Sequence, residues 1–273
     1  MLIHTQAIVL AGQKLGEADT LVTLLTLERG LVKGVAKNVR RMRSRFGSAL
    51  QPFSYGEAIL FERRAGVLHR INHVDLIHSF QVLREDLERI TWAAAMSNAA
   101  RTILPEEQPS RETFMGLLRS LKNLEAGDAG TRVAVFFLLG LLRAAGYQPR
   151  LDRCLLGHHS VDGGIPRFIP RLGGIVCSSC YLDAQESWVK TAPSLGVSPG
   201  TRAFLQHALR TPVRIRHRLQ ADLALLDEAH RLLQACLVER ARRTPVTKRP
   251  WSSVVRSAET AGFEVNTDTR RHV

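Results

Sequence analysis

Leu21-Val22-Thr23-Leu24-Leu25-Thr26-Leu27-Glu28-Arg29-Gly30-Leu31-Val32-Lys33-Gly34-Val35-Ala36 is the stretch that decides the fold. Two runs rich in β-branched and aliphatic residues flank Glu28-Arg29-Gly30, and such runs joined by a short Gly-containing turn make a β-hairpin. Upstream, Thr5-Gln6-Ala7-Ile8-Val9-Leu10 reads as a further strand. Downstream, Phe53-Ser54-Tyr55-Gly56-Glu57-Ala58-Ile59-Leu60-Phe61 alternates, with Gly56 where a barrel strand can bend, and Leu68-His69-Arg70-Ile71-Asn72-His73-Val74 completes five. Phe53, Tyr55 and Phe61 fall on one alternation face and are expected to fill the interior. Five short strands with Gly-marked turns predict a small barrel of the oligonucleotide-binding (OB) type over residues 1–80.

The apolar period changes after residue 80. Phe80, Leu83, Leu87 and Ile90 follow helical spacing up to Leu104-Pro105, and two further helices are expected near 110–125 and 130–146, the second closed by Gly146. Helical pattern returns at Ser198-Pro199-Gly200 and runs to about Arg243, with Leu219, Leu223, Leu226, His230 and Leu233 on one face. Between these helices, residues 150–185 hold three cysteines among Gly and Pro. The expected organisation is therefore an α+β multidomain chain. Its parts are the barrel (1–80), a helical domain (81–149 and 186–243), a zinc-ribbon-like insertion (150–185) and a basic, disordered tail (244–273).

Charge narrows the partners. Among 273 residues, Lys+Arg 38 against Asp+Glu 25 leaves a formal net charge of +13, a balance that favours phosphate backbones or anionic surfaces. The opening Met1-Leu2-Ile3-His4-Thr5-Gln6 lacks a basic n-region and a long apolar h-region, so no secretory leader is expected. No apolar run reaches the roughly 18 residues that span a bilayer, and the four cysteines suit a reducing cytoplasm.

Cys177-Ser178-Ser179-Cys180 can chelate a tetrahedral metal, and its partner knuckle is Cys154-Leu155-Leu156-Gly157-His158-His159. The knuckles either keep a structural Zn²⁺ site of Cys154, His158, Cys177 and Cys180, with His159 as the alternative to His158, or form a metal-free remnant held by Phe168, Ile169 and Ile175. No spaced carboxylate accompanies the set, so a catalytic zinc is not expected. The acid-free run Lys33, Lys37, Arg40, Arg41, Arg43, Arg45 follows a strand and forms a strand end and a long loop, where cations can line a groove for single strands. Phe46 beside it can stack a base or anchor in the core. A second acid-free run, Arg202 to Arg218, contains Arg214, Arg216 and Arg218 and can extend a nucleic-acid path, bind an acidic protein surface or be a solvated face. There is no GxxxxGK[ST], GxGxxG after a strand, HExxH or GxSxG, and no paired acidic cluster for a two-metal nuclease. The sequence therefore predicts a binding protein and no enzyme; an RNA-binding or ribosome-associated protein with an OB barrel and zinc ribbon fits the composition equally.

These pieces, in this order, resemble the RecO family of DNA repair and recombination mediators. The resemblance is carried by Thr5–Leu10, Leu15-Gly16-Glu17-Ala18-Asp19 and Thr26-Leu27-Glu28-Arg29-Gly30, then by Gly34-Val35-Ala36-Lys37-Asn38-Val39-Arg40-Arg41 with Leu50-Gln51-Pro52-Phe53. It continues through Gly146-Tyr147-Gln148-Pro149, Leu151-Asp152-Arg153-Cys154, Phe168-Ile169-Pro170 and Gly173-Gly174-Ile175-Val176-Cys177, covering about residues 1–240. The family's commoner first knuckle is CxxCG, and Gly157 stands where its second cysteine falls. The resemblance implies an OB barrel, a helical domain and a zinc-ribbon insertion. It also implies a bacterial, cytoplasmic, nucleoid-associated protein without enzymatic activity that binds single- and double-stranded DNA and anneals complementary strands. The implied partners are RecR and the C-terminal tail of single-stranded DNA-binding protein (SSB), which together help the recombinase RecA load; Val133, Phe136 and Phe137 with Arg132 and Arg143 are a candidate place for that tail, burial in the core being the favoured reading of the two phenylalanines.

Overall fold

In the computed structural model, five strands follow one another in the first part of the chain: β1 (Leu2–Leu15), β2 (Asp19–Thr26), β3 (Gly30–Ala36), β4 (Tyr55–Phe61) and β5 (His69–His78). Residues 1–39, 46–62, 68–161, 164–184, 187–213 and 215–243 are described. The strands close into a barrel in the order β1-β2-β3-β5-β4. β1 serves two neighbours. Leu2–Ile8 pair with β4 and Ala7–Leu15 with β2, and a register shift between Val9 and Ala11 bends the strand from one partner to the other. The expected hairpin is β2–β3, registered from Thr20↔Ala36 to Thr26↔Gly30. Its turn needs Gly30, whose φ is +66° and whose added Cβ would lie 2.0 Å from the Gln108 carbonyl oxygen.

Closure comes from a short parallel pairing, Gly34↔His69, Val35↔Arg70 and Ala36↔Ile71. A Cβ at Gly34 would meet Ile71 Cγ1 at 2.8 Å, so the two strands approach this closely only over a glycine. The other half of the β3 edge is covered by the segment that follows the second helix. Leu31 bridges to Glu106, the Glu107 N–H donates to the Leu31 carbonyl at 2.9 Å, and the Lys33 ammonium pairs with Glu106. The barrel interior is Ile3, Val9, Val22, Leu24, Val32, Ala58, Leu60, Ile71 and Val74, joined by Phe46, Ala49 and Leu50 from the β3–β4 connection.

Two sequence expectations about this interior are corrected. Gly56, Ala58 and Leu60 face inward on β4, so Tyr55 and Phe61 point outward, and Phe61 is 42% exposed. Phe53, which the sequence puts on the same face, lies before β4 at φ 72° and is buried, so it does not share the phase of Tyr55 and Phe61. Tyr55 instead donates to Gln6 Oε1 at 2.8 Å and packs edge-on against Phe114. Phe46, by contrast, is a core anchor.

Three helices complete the first of two units into which the chain divides, Met1–Glu125 and Ala126–Thr244. They are α1 (Gln81–Glu85), α2 (Leu87–Ile103) and α3 (Arg111–Glu125). Asp86 ends α1 and N-caps α2 by accepting from the Arg89 N–H at 2.9 Å. This break resets the helical phase, leaving Leu87 exposed while Phe80 and Leu83 are buried. The helical domain expected over 81–149 and 186–243 thus has residues in both units.

The second unit contains α4 (Gly130–Ala144), β6 (Arg167–Ile169), β7 (Gly174–Val176), α5 (Ser178–Leu182), α6 (Ser187–Thr191), β8 (Leu195–Gly196), α7 (Pro199–Arg210) and α8 (Leu223–Arg243). The end of α4 is a Schellman motif: Gly146, at φ 77°, donates to Arg143 O and Tyr147 to Leu142 O. α8 packs along α4 and α7. The helical pattern expected from Ser198 to about Arg243 is divided between α7 and α8, because Pro212 cannot continue α7 and holds Thr211 extended at ψ 131°. The start of α7 is held from α8: Glu228 accepts from the Ser198 N–H at 2.6 Å, the Ser198 hydroxyl at 2.7 Å and the Thr201 hydroxyl at 2.7 Å. Burial pushes the Glu228 carboxyl up, but these donors outweigh it and hold it below its usual range. A lowered carboxyl stabilises the fold above its unfolded value, and that stability is lost as pH falls through the native value. Glu228→Gln is expected to cost about 1–3 kcal/mol at neutral pH and almost nothing in strong acid, measured as the difference in urea midpoints at the two pH values.

Candidate metal centre and nucleic-acid interface

The ribbon sheet has the order β7-β6-β8, and its first knuckle is laced to its second through the backbone. Arg150 N–H donates to Gly173 O at 2.9 Å, Ile175 N–H to Arg150 O at 3.1 Å and Leu155 N–H to Ile175 O at 2.9 Å. Leu151, Val161, Phe168, Ile169, Ile175 and Val176 fill the small core beneath. From α7, Arg202 reaches back and donates to the carbonyls of Leu151 (3.0 Å), Val161 (2.7 Å) and Asp152 (3.2 Å). Arg202 opened the second acid-free run in the sequence, and its donors are spent fixing the first knuckle.

This lacing brings Cys154, His159, Cys177 and Cys180 together, with one ligand atom from each, all within 4.8 Å of one another. His159 Nε2 lies 3.7 Å from Cys177 Sγ and 3.5 Å from Cys180 Sγ. A tetrahedral ion with bonds of about 2.1–2.3 Å places its ligand atoms about 3.5–3.8 Å apart, so the set fits a metal ion. Cys154 Sγ accepts from the N–H groups of Gly157 (3.4 Å) and Cys177 (3.5 Å), and Cys177 Sγ from that of Cys180 (3.4 Å). Burial pushes the Cys177 thiol up, yet the Ser179 hydroxyl and the Cys180 N–H outweigh it and hold it down to about 6. Cys180, beside it, is pushed up chiefly by its hydrogen bond with Cys177.

Of the two histidines, His159 joins the cluster and His158 does not. His158 sits in the left-handed region at φ 55° and its N–H closes a turn on Cys154 O at 2.9 Å. His159 Nδ1 lies 2.7 Å from the Ser160 carbonyl. A carbonyl only accepts, so Nδ1 carries the proton and Nε2 is left with its lone pair toward the thiols. Spacing alone, four or five residues after Cys154, does not separate the two. Gly157 completes the picture: a Cβ there would fall 2.6 Å from His159 Nε2 and 2.9 Å from Cys180 Sγ. The corner that a cysteine at 157 would take is filled by the imidazole.

The expected nucleic-acid residues are distributed over both units. Arg40, Arg41, Arg43, Arg45 and Arg214 lie outside the described residues, as does the tail 244–273. Lys33 lies on β3 against Glu106, and Lys37 follows β3 half-buried. Arg216 is 2% exposed and donates to the Thr211 carbonyl at 3.2 Å, so its guanidinium is turned into the fold; Arg218, two residues on, is exposed. Val133 and Phe137 are buried on α4, Phe136 packs against Phe204, and Arg132 donates to Leu219 O. No helix among the described residues is long and apolar enough to cross a membrane. The roles of Arg202 and Glu228 were not readable in advance, since each acts on backbone or hydroxyls some 30 residues away or more.

Comparison with known proteins agrees with this architecture along nearly its whole length. The family model for Recombination protein O N terminal matches residues 1–80, and that for Recombination protein O C terminal matches residues 84–250. The DNA repair protein RecO of Rubrobacter xylanophilus is 36% identical over 213 residues, covering 78% of this chain and 82% of that one. The DNA repair protein RecO of Nocardioides sp. is 40% identical over 191 residues, 68% and 78% of the two chains, and that of Symbiobacterium thermophilum 32% identical over 246 residues, 89% and 93%. Two consecutive family models and relatives of this identity and coverage place the barrel, the helices and the ribbon in one lineage: the chain belongs to the RecO family of DNA repair proteins.

Proposed function

We propose that the chain is a non-enzymatic, cytoplasmic and nucleoid-associated recombination mediator. It binds single- and double-stranded DNA, anneals complementary strands and helps load the recombinase onto SSB-coated DNA, working with RecR and the C-terminal tail of SSB. The observation that carries this reading is that Ala36, at the end of β3, and Phe46 are both buried in the same barrel core, which ties both ends of the sequence run containing Lys37, Arg40, Arg41, Arg43 and Arg45 to the barrel. Cations in such a run can neutralise two phosphate backbones and keep strands close, while base pairing supplies the free energy of annealing. Arg218, in the second unit, is exposed.

The ion suited to three thiolates and an imidazole is zinc, held by Cys154, His159, Cys177 and Cys180. Bound there, it would neutralise the thiolates and cross-link the two knuckles, a structural role.

Two measurements test this reading. Annealing of complementary oligonucleotides without ATP is expected to be accelerated, to slow as salt rises, and to fail when Arg40, Arg41 and Arg43 are all replaced by Ala. The same variant should lower the slope of log affinity against log salt by about 2. Absence of acceleration at any salt removes the reading, and preference for RNA over DNA of the same sequence replaces it with RNA binding. For the metal, the purified protein is expected to carry one zinc. His159→Ala should weaken its retention by more than the roughly 10- to 100-fold typical of an outer-shell partner, while His158→Ala leaves it unchanged. Gly157→Cys added to His159→Ala should restore it, as read by competition with a chromogenic chelator.

A further inference from the structure

Two arginine–aromatic stacks tie β6 and the turn after it to α5 and α6. Arg167, at the start of β6, lies over the Tyr181 ring with its guanidinium carbon 4.9 Å from the centroid. Arg171, just past β6, lies over Trp188 at 4.7 Å. The stacks are joined: the Tyr181 hydroxyl donates to the Lys190 carbonyl at 3.3 Å, and Lys190 follows Trp188 by two residues on α6. Arg167 is steadied further by Ser194 Oγ at 3.3 Å. Arg167, Arg171 and Lys190 are exposed, and Asp183 is the acid among the described residues of 164–191. Tyr181 also follows Cys180 directly on α5, whose N-cap is Cys177, so the geometry of the cysteine cluster sets where this ring stands.

We propose that these stacks are a second contact for single-stranded nucleic acid, separate from the barrel loop. A guanidinium laid flat on an aromatic ring offers its outer plane to a base and its edge to a phosphate, and stacking of this kind tolerates any sequence. Two such stacks with a lysine beside them present planar groups and positive charge together, as a strand alternates bases and phosphates. An acidic peptide would use the charge and leave the planar faces without a role. The inference rests on the reading that the chain binds DNA, and the test separates the two.

The full-length, metal-containing protein is titrated into a fluorescein-labelled oligo(dT). The pairs Tyr181→Ala with Trp188→Ala, and Arg167→Ala with Arg171→Ala, are each expected to weaken binding about tenfold or more, with circular dichroism and metal content unchanged. Trp188→Phe, which keeps a ring, should stay near wild type. With Trp92 and Trp251 replaced by Phe, the emission of Trp188 should be quenched by unlabelled oligo(dT). If the ribbon variants bind as wild type while Arg40→Ala with Arg41→Ala and Arg43→Ala does not, the second contact is overturned and the barrel reading stands. If wild type itself does not bind, both fall. If the ribbon variants lose a poly-glutamate probe and retain oligo(dT), the stacks are a site for acidic protein and the proposal is overturned.

Discussion

Three parallel residue pairs between β3 and β5 are the constraint on which the first unit depends. Without them the sheet would end at β3 and β5, two edges open to pairing with other chains. The pairing is too short to cover β3, and the chain solves the remainder locally. The backbone of Glu106 and Glu107 takes up the Leu31 position, and their carboxylates meet Lys33 and His69, the latter at 3.0 Å. Gly30 and Gly34 are needed because both closures bring foreign backbone or side chains to van der Waals limits. The cation-bearing sequence run starts one residue after the last closing pair, so the barrel's closure also fixes one root of the proposed binding segment.

In the second unit the equivalent constraint is the lacing of Arg150, Leu155 and Ile175, reinforced by Arg202. A segment with so few apolar residues cannot hold itself by burial alone. Its order comes from backbone hydrogen bonds, a donor fork from α7, and four metal-type ligands set within reach of each other before any ion is considered. Arg202 illustrates why charge counting overstates binding surfaces: an acid-free run reads as a patch, yet this arginine is engaged by carbonyls and Arg216 lies inside the fold.

Much of this was legible in the sequence because the signals are local. The β2–β3 hairpin, the five strands, the Schellman glycine at 146 and the capping Ser198 all depend on residues within a few positions of one another. What was not legible depends on distant partners or on phase. Tyr55 and Phe61 face outward while Phe53 is buried, because the backbone turns at Phe53, at φ 72°, just before β4 begins. The face of α2 shifts because Asp86 restarts the helix. Pro212 was visible and marks the end of α7, but the hydrophobic pattern beyond it resembled a continuation. The choice between His158 and His159 turned on a backbone φ and one carbonyl, neither of which spacing encodes.

The imidazole at the fourth corner has an electrostatic consequence. Four thiolates around a divalent ion leave two surplus negative charges; three thiolates and a neutral imidazole leave one. With a divalent ion bound, His159 in place of a cysteine at 157 would make the ribbon's centre less repellent to a polyanion, and the N–H donors of Gly157, Cys177 and Cys180 would disperse the charge that remains. In a chain whose charge is otherwise strongly positive, such a corner would be a local negative pole, and its ligand choice would set how far that pole reaches into the surrounding field.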